Sequence, residues 1–244
     1  MDLQGTVALV TGSGIRVGRR IALALARRGA NLAVHYRSSA DPAKEVVAEA
    51  REAGVDAEAF RCDLSDTATI EGLIDGIDER WGRLDVLVNS AAIFPRTPWD
   101  SIDEATWDRT LNVNLKAPFF TAWHAARLMK KGGGGKIVNV ADWAGLRPYV
   151  NYAPYVIAKG GVITMTKAMA KELAPEIAVN AVAPGPVMLP EDFDEDAAER
   201  VREATLLQRL GSPDDIAEAV VFLVERTDFV TGHVLVVDGG RLIA

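Results

Sequence analysis

The chain has 244 residues, 49% of them hydrophobic and 25% charged, with a net charge of −7. That balance suits one larger α/β domain with a sizeable core and disfavours a general role on nucleic acid or an anionic membrane, while a local basic pocket for a phosphate stays open. The single cysteine, Cys62, excludes an internal disulfide. No apolar run approaches the roughly eighteen residues of a membrane span, and MDLQGTVALV lacks a signal-peptide pattern, so a cytoplasmic protein is expected.

In chain order, TVALVT reads as a first strand and leads into TGSGIRVGRR, where Gly12, Gly14 and Gly18 turn the chain into an amphipathic helix that stops at Gly29. Such a turn lets backbone N–H groups and a helix N-terminus approach a pyrophosphate; a tight turn without a ligand is the bland alternative, which the strand-turn-helix context weakens. The second strand, NLAVHY, ends in Tyr36, Arg37 and Ser38, where NAD sites commonly place an acid for the ribose hydroxyls. Arg37 and Arg16 instead offer two guanidinium forks suited to a 2′-phosphate, which favours NADPH. A helix from Pro42 to Ala53 precedes Gly54, and AEAFRC then carries the chain to Asp63 and Leu64. Asp63 is placed either to accept from an adenine amino group or to cap the following helix, Thr67 to Arg80.

The fourth strand, DVLVNS, ends at Asn89, Ser90 and Ala91, with Asn89 read as a strand-end clamp beside the cofactor. Phe94 follows, free either to pack on Trp99 or Pro95 or to offer its face to a flat substrate. One helical pattern from Glu104 to Lys131 carries Asn114 and ends in the turn KGGGGK. The fifth strand, KIVNVA, leads to Asp142 and Trp143, then to Tyr149, Tyr155 and Lys159. Tyr155 and Lys159 share a helix face, so an ammonium near the phenol should lower its pKa from about 10 and suit it to general-acid work. Their helix is apolar on nearly every side, which predicts burial by the sheet or by another subunit. AVNAVAP then presents Pro184, Gly185, Pro186, Val187 and Met188; residues 187–207 read as a lid, with EDFDEDAAER an acidic helix or loop before the last strand, HVLVVDG.

The alternation predicts a single α/β domain over 1–244: a Rossmann-like, doubly wound parallel sheet of seven strands with helices on both faces and ligands beyond the strand carboxyl ends. His35, His124 and His233 lack metal-ligand spacing, so no metal is assigned.

In combination, TG…G at 11–18, Asp63, NSAA at 89–92, Asn114 in NVNLK, Tyr155 with Lys159, and Pro184-Gly185 resemble the short-chain dehydrogenase/reductase family across essentially the whole chain. The resemblance implies a nicotinamide dinucleotide held by Gly12, Gly14, Arg16, Val17, Gly18, Tyr36, Arg37, Ser38, Asp63, Leu64, Asn89, Ser90, Ala91, Tyr155, Lys159, Pro184, Gly185 and Val187. It further implies Tyr155 as proton donor, Lys159 on the nicotinamide ribose, Asn114 in a water relay, and a homotetramer built through long helices. Three departures are similar to the pteridine reductase branch: Arg16 for the usual central glycine, Asp142 for the usual serine, and Phe94 after the fourth strand. That branch implies a pterin-like substrate against Arg16, Phe94, Asp142, Trp143, Tyr155, Pro186 and Met188. Ala92, where a serine hydroxyl can stand, and the short tail RLIA depart from it.

A serine hydroxyl donates to a carbonyl oxygen, whereas a carboxylate would repel developing alkoxide, so Asp142 shifts the expected acceptor to a C=N bond. Burial would raise the Asp142 pKa and Lys159 would oppose it, with the net direction open at this level. The expectation is an NADPH-dependent reductase of a dihydropterin or dihydrofolate. The alternatives are a carbonyl reductase, such as a 3-oxoacyl thioester (acyl-carrier-protein) reductase, and a non-catalytic NADPH-binding sensor module.

Overall fold

In the computed structural model, which describes residues 1–188 and 194–244, the seven apolar runs form β1 (Val7–Val10), β2 (Asn31–Tyr36), β3 (Ala57–Arg61), β4 (Val86–Asn89), β5 (Gly135–Val140), β6 (Ile177–Pro184) and β7 (Val234–Val237). All neighbours pair in parallel, in the order β3-β2-β1-β4-β5-β6-β7, with Leu9 in register with Ala33 on one side and Leu87 on the other. The order reverses at β1 and β4, and there the connections leave in opposite directions and open a crevice at the strand carboxyl ends. The helices are α1 (Arg16–Ala26), α2 (Ala40–Glu52), α3 (Ala68–Trp81), α4 (Glu104–Leu111), α5 (Ala117–Lys131), α6 (Ala153–Leu173), α7 (Glu195–Glu203) and α8 (Pro213–Val221).

Successive strand residues point to opposite faces, and each face has its own core. Val7, Leu9, Leu87, Ile137 and Val179 pack with α3, α5 and α6; Ala8, Val10, Val34, Val88 and Val182 pack with α1, α2 and α8. A parallel sheet covered on both sides therefore needs apolar residues along its strands, as the fully buried β1 has throughout and β4 has up to Asn89. Removing one such side chain, for example Leu87→Ala, would cost about 2–5 kcal/mol.

Two local features differ from the sequence expectation, and a third follows one of its two alternatives. The single helix expected from Glu104 to Lys131 is interrupted by a π-helical turn at Asn112–Lys116, because one extra residue per turn leaves the apolar pattern nearly unaltered. Helix α8 is additional to the expected elements and opens on a reciprocal capping box of Ser212 and Asp215 with Pro213 in the first turn. The long helix α6 is buried mainly by the sheet and its neighbours, leaving Ile157 50% exposed.

Candidate active site

The crevice is a cleft of about 900 Å³ that runs along the carboxyl ends of β1 to β6. At its phosphate end, Thr11 Oγ1 accepts from Ser90 N (2.9 Å) and Ala91 N (3.0 Å), joining the ends of β1 and β4. Buried His35 reaches under the glycine turn: its Nδ1 accepts from Gly12 N at 2.9 Å, and its Nε2 donates to the Cys62 carbonyl at 3.0 Å. One ring nitrogen must accept, so this histidine is neutral, and burial lowers its pKa to about 4.

The turn has no room for side chains. A Cβ on Gly18 would lie 2.4 Å from the Gly12 carbonyl oxygen, and Gly12 itself has a φ of +67°. Ile15 at the N-cap of α1 offers no side-chain acceptor, so the first amides of that helix are left for a ligand in the cleft that Gly14, Arg16 and Val17 line. Tyr36, Arg37 and Ser38 line the cleft at the end of β2, and Asp63 and Leu64 at the end of β3. Asp63 does not cap α3, whose N-cap is Thr67. Its carboxyl accepts from Ser65 Oγ (2.7 Å) and Ser65 N (3.0 Å), and these bonds, with Arg37 nearby, hold it below the usual carboxylate range.

At the reacting end, Asp142 caps the short turn Trp143–Gly145: its Oδ1 accepts from Ala144 N at 2.8 Å and its Oδ2 from the Tyr155 hydroxyl at 2.7 Å. Lys159 is buried, donates to the Val140 carbonyl at 2.7 Å, and lies 5.7 Å from the Tyr155 ring centre. Burial brings the Lys159 pKa down to about 8 against the opposing pull of Asp142. Burial also drives the Asp142 carboxyl up, outweighing the hydrogen bonds from Ala144 and Tyr155 and the charge of Lys159. The expected lowering of the Tyr155 pKa by Lys159 is corrected here. Burial first, and then the charge of Asp142, push the phenol well above its ordinary value, because the ammonium bonds a backbone carbonyl and leaves the phenol to the carboxyl.

Phe94 is 43% exposed and stacks on Tyr152, with ring centres 4.3 Å apart and planes 8° off parallel, while its edge meets Tyr155 at 4.6 Å. It is thus a shelf in the cleft, and Trp99, its other expected partner, stays 79% exposed. Trp143 and Tyr149, with ring centres 5.8 Å apart, form the adjoining wall. Pro184, Gly185, Pro186, Val187 and Met188 close the cleft beneath Val201 of α7; residues 189–193 of the expected lid lie outside the described residues.

The cleft therefore brings together every site residue expected from the sequence except two. Asn89 turns into the sheet, donating to Asn139 Oδ1 (2.9 Å) and the Pro118 carbonyl (3.2 Å), and ties the ends of β4 and β5 to the start of α5. Asn114, expected in a water relay, spends its side chain on one residue: Oδ1 accepts from Ile93 N (3.0 Å) and Nδ2 donates to the Ile93 carbonyl (2.9 Å). It fixes the loop that carries Phe94. Sequence reasoning missed His35, Tyr152 and Arg241. His35 stands next to Tyr36 and Tyr152 lies midway between Tyr149 and Tyr155, whereas nothing in the chain order hints that Arg241 returns to the cleft. No cluster of metal-ligating side chains occurs among the described residues.

A parallel sheet with a glycine turn at its switch point, opening on a buried tyrosine, lysine and carboxyl, defines a Rossmann-type oxidoreductase. A family model described as enoyl-(acyl carrier protein) reductase matches residues 12–241. The chain is 38% identical to a granaticin polyketide synthase ketoacyl reductase from Streptomyces violaceoruber, over 97% of this chain and 96% of the relative. It is 37% identical to a 3-oxoacyl-(acyl-carrier-protein) reductase from Staphylococcus aureus, over 96% of each. A solved structure from Sinorhizobium meliloti, provisionally described as a short-chain alcohol dehydrogenase, matches with a TM-score of 0.94 at 36% identity, covering 100% of this chain and 98% of that one. The chain belongs to the short-chain dehydrogenase/reductase family. Both curated relatives are named for ketoacyl reduction, so whole-chain similarity gives the pteridine reductase branch no support.

Proposed function

We propose that the protein is an NADPH-dependent carbonyl reductase acting on the keto group of a 3-oxoacyl thioester, with Tyr155 as proton donor. The 2.7 Å bond between the Tyr155 hydroxyl and Asp142 carries the chemistry, and the relatives named for ketoacyl reduction support the acceptor. This puts the ketone ahead of the pterin expected from the branch resemblance.

The residues fit the cofactor. The glycine turn excludes side chains where a pyrophosphate would lie, and neither Arg16 nor Arg37 forms an ion pair among the described residues, which leaves two guanidinium groups for a 2′-phosphate. Lys159 would hold the nicotinamide ribose. Bound NADPH would supply the hydride that reaches the keto carbon.

This chain's own residues handle the proton. A phenol whose pKa is pushed up stays protonated, which is the form that can donate to the forming alkoxide. Burial moves the Asp142 pKa up from the ordinary carboxylate range, which makes its carboxyl a better proton carrier than a free one. In its protonated form the carboxyl can donate as a serine hydroxyl would, whereas in its ionised form it accepts from the Tyr155 hydroxyl. As hydride adds to carbon, the oxygen takes the Tyr155 proton, Asp142 returns one to Tyr155, and solvent reprotonates Asp142. Assembly as a homotetramer belongs to the same proposal, with Phe119, Trp123 and Ile157 exposed on α5 and α6.

One observation favours a second acceptor. The exposed Phe94 shelf on Tyr152, walled by Trp143 and Tyr149, suits a flat ring, and the same proton pair would serve a C=N nitrogen of a dihydropterin or dihydrofolate.

The test of the proton donor is Tyr155→Phe. Turnover should fall by about 10²–10⁴-fold while NADPH affinity, followed by fluorescence titration, stays within about twofold. Retained turnover would remove Tyr155 from the chemistry, and a biological role that survives the substitution would favour the sensor module.

A further inference from the structure

Four cations line the cleft: Arg16, Arg37, Lys159 and Arg241. The proposed function gives the first three to the cofactor and leaves Arg241 without a task. Its guanidinium makes no ion pair or side-chain hydrogen bond among the described residues; it lies over the Trp143 ring, 5.3 Å from the centre. Trp143 directly follows Asp142, so this cation stands at the reacting half of the cleft and not at the phosphate half.

The backbone beneath Arg241 is built to hold it there. The Asp238 carboxyl accepts from Gly240 N (2.9 Å) and Leu242 N (2.6 Å), and the Asp238 carbonyl accepts from Arg241 N (3.2 Å). From the other side, Arg147 Nη1 donates to the Arg241 carbonyl at 2.9 Å, tying the tail to the turn that Asp142 caps. With its carboxyl engaged by two amides, Asp238 forms no ion pair with the guanidinium. Among the described residues, the only carboxyl lining the reacting half is Asp142, which Tyr155 and Ala144 already occupy.

A planar cation fixed by its backbone, laid on an indole and open to the cleft is suited to a carboxylate or phosphate oxygen pair. We infer that Arg241 is a specificity-determining residue: it receives an anionic group on the substrate, beyond the atom that is reduced. The inference rests on the proposed function and favours acceptors that carry such a group. These are a thioester bearing the phosphates of its carrier, or a dihydrofolate bearing glutamate carboxylates, over neutral acceptors of the same reacting chemistry.

The test uses matched pairs on the NADP-loaded protein: acetoacetyl-coenzyme A beside the uncharged acetoacetyl-N-acetylcysteamine thioester, and dihydrofolate beside dihydrobiopterin. Calorimetry gives affinity, and NADPH oxidation separately gives turnover. In whichever pair binds, the anionic member should bind about tenfold tighter or better, an advantage that falls toward one in Arg241→Gln and returns in part in Arg241→Lys. Rising salt should shrink the advantage in the unsubstituted protein and leave Arg241→Gln unaffected. An advantage that survives Arg241→Gln, or equal weakening of both members, would overturn the inference; so would the absence of binding by either pair. Binding with the expected selectivity but without turnover would instead overturn the proposed function and leave the role of Arg241 standing.

Discussion

His35 shows how one buried side chain couples the fold to the cofactor end of the cleft. Its ring must stay neutral to accept from Gly12, and its pKa is lowered to about 4 from a free value of 6.5. The folded value lies below the unfolded one, so this histidine contributes full stability above pH 6.5 and loses it as pH falls through about 4. At the acid limit the loss is on the order of 3 kcal/mol. Urea midpoints measured from about pH 7 down to about pH 4.5 should therefore fall more steeply for the native protein than for His35→Gln. Parallel slopes would mean that folding does not lower the His35 pKa. The reacting residues were legible in the sequence because Asp142, Tyr155 and Lys159 have chemistry that few other residues supply. Their pKa directions were not legible, since these depend on burial and on which partner Lys159 chooses, and it chooses the Val140 carbonyl.

Among the elements, the π-helical turn at Asn112–Lys116 does the most positioning. It places Asn114 where both ends of its amide meet Ile93, so the loop between β4 and α4 inherits the rigidity of a helix. A second tie, from Thr97 N to the Asn151 carbonyl at 2.6 Å, fixes the far side of the same loop. Asn114→Ala should remove two backbone hydrogen bonds, cost about 1–3 kcal/mol locally and speed amide exchange at Ile93 and Phe94. Because Phe94 would lose its place, KM for the acceptor should rise more than NADPH affinity falls. Unchanged exchange at Ile93 would show that Asn114 does not hold the loop. Strands and most helix ends were readable from apolar runs and from glycines such as Gly82, which ends α3 with a φ of +68°. The π turn was not, because a single inserted residue hardly disturbs helical periodicity, and α8 was overlooked although Ser212-Pro213-Asp214-Asp215 carries a helix-start signal.

For the whole molecule, alternating strands and helices leave few topologies, and the right-handed crossover rule narrows them to the sheet observed. That is why the position of the cleft follows from the order of strands and helices. The return of the tail to the cleft could not, since Arg241 reaches Trp143 through turns at Asp238 and Arg147 that have no periodic signature. The acceptor is likewise a property of the assembled cleft, in which a shelf of Phe94, a proton pair at Tyr155 and Asp142, and a cation at Arg241 act together. The most direct test is the rate of NADPH oxidation with acetoacetyl-coenzyme A measured beside dihydrofolate and dihydrobiopterin at equal concentration. The expected result is turnover of the thioester, lowered about 10²–10⁴-fold in Tyr155→Phe; turnover of a dihydropterin or dihydrofolate with the thioester inert would contradict the ketone assignment.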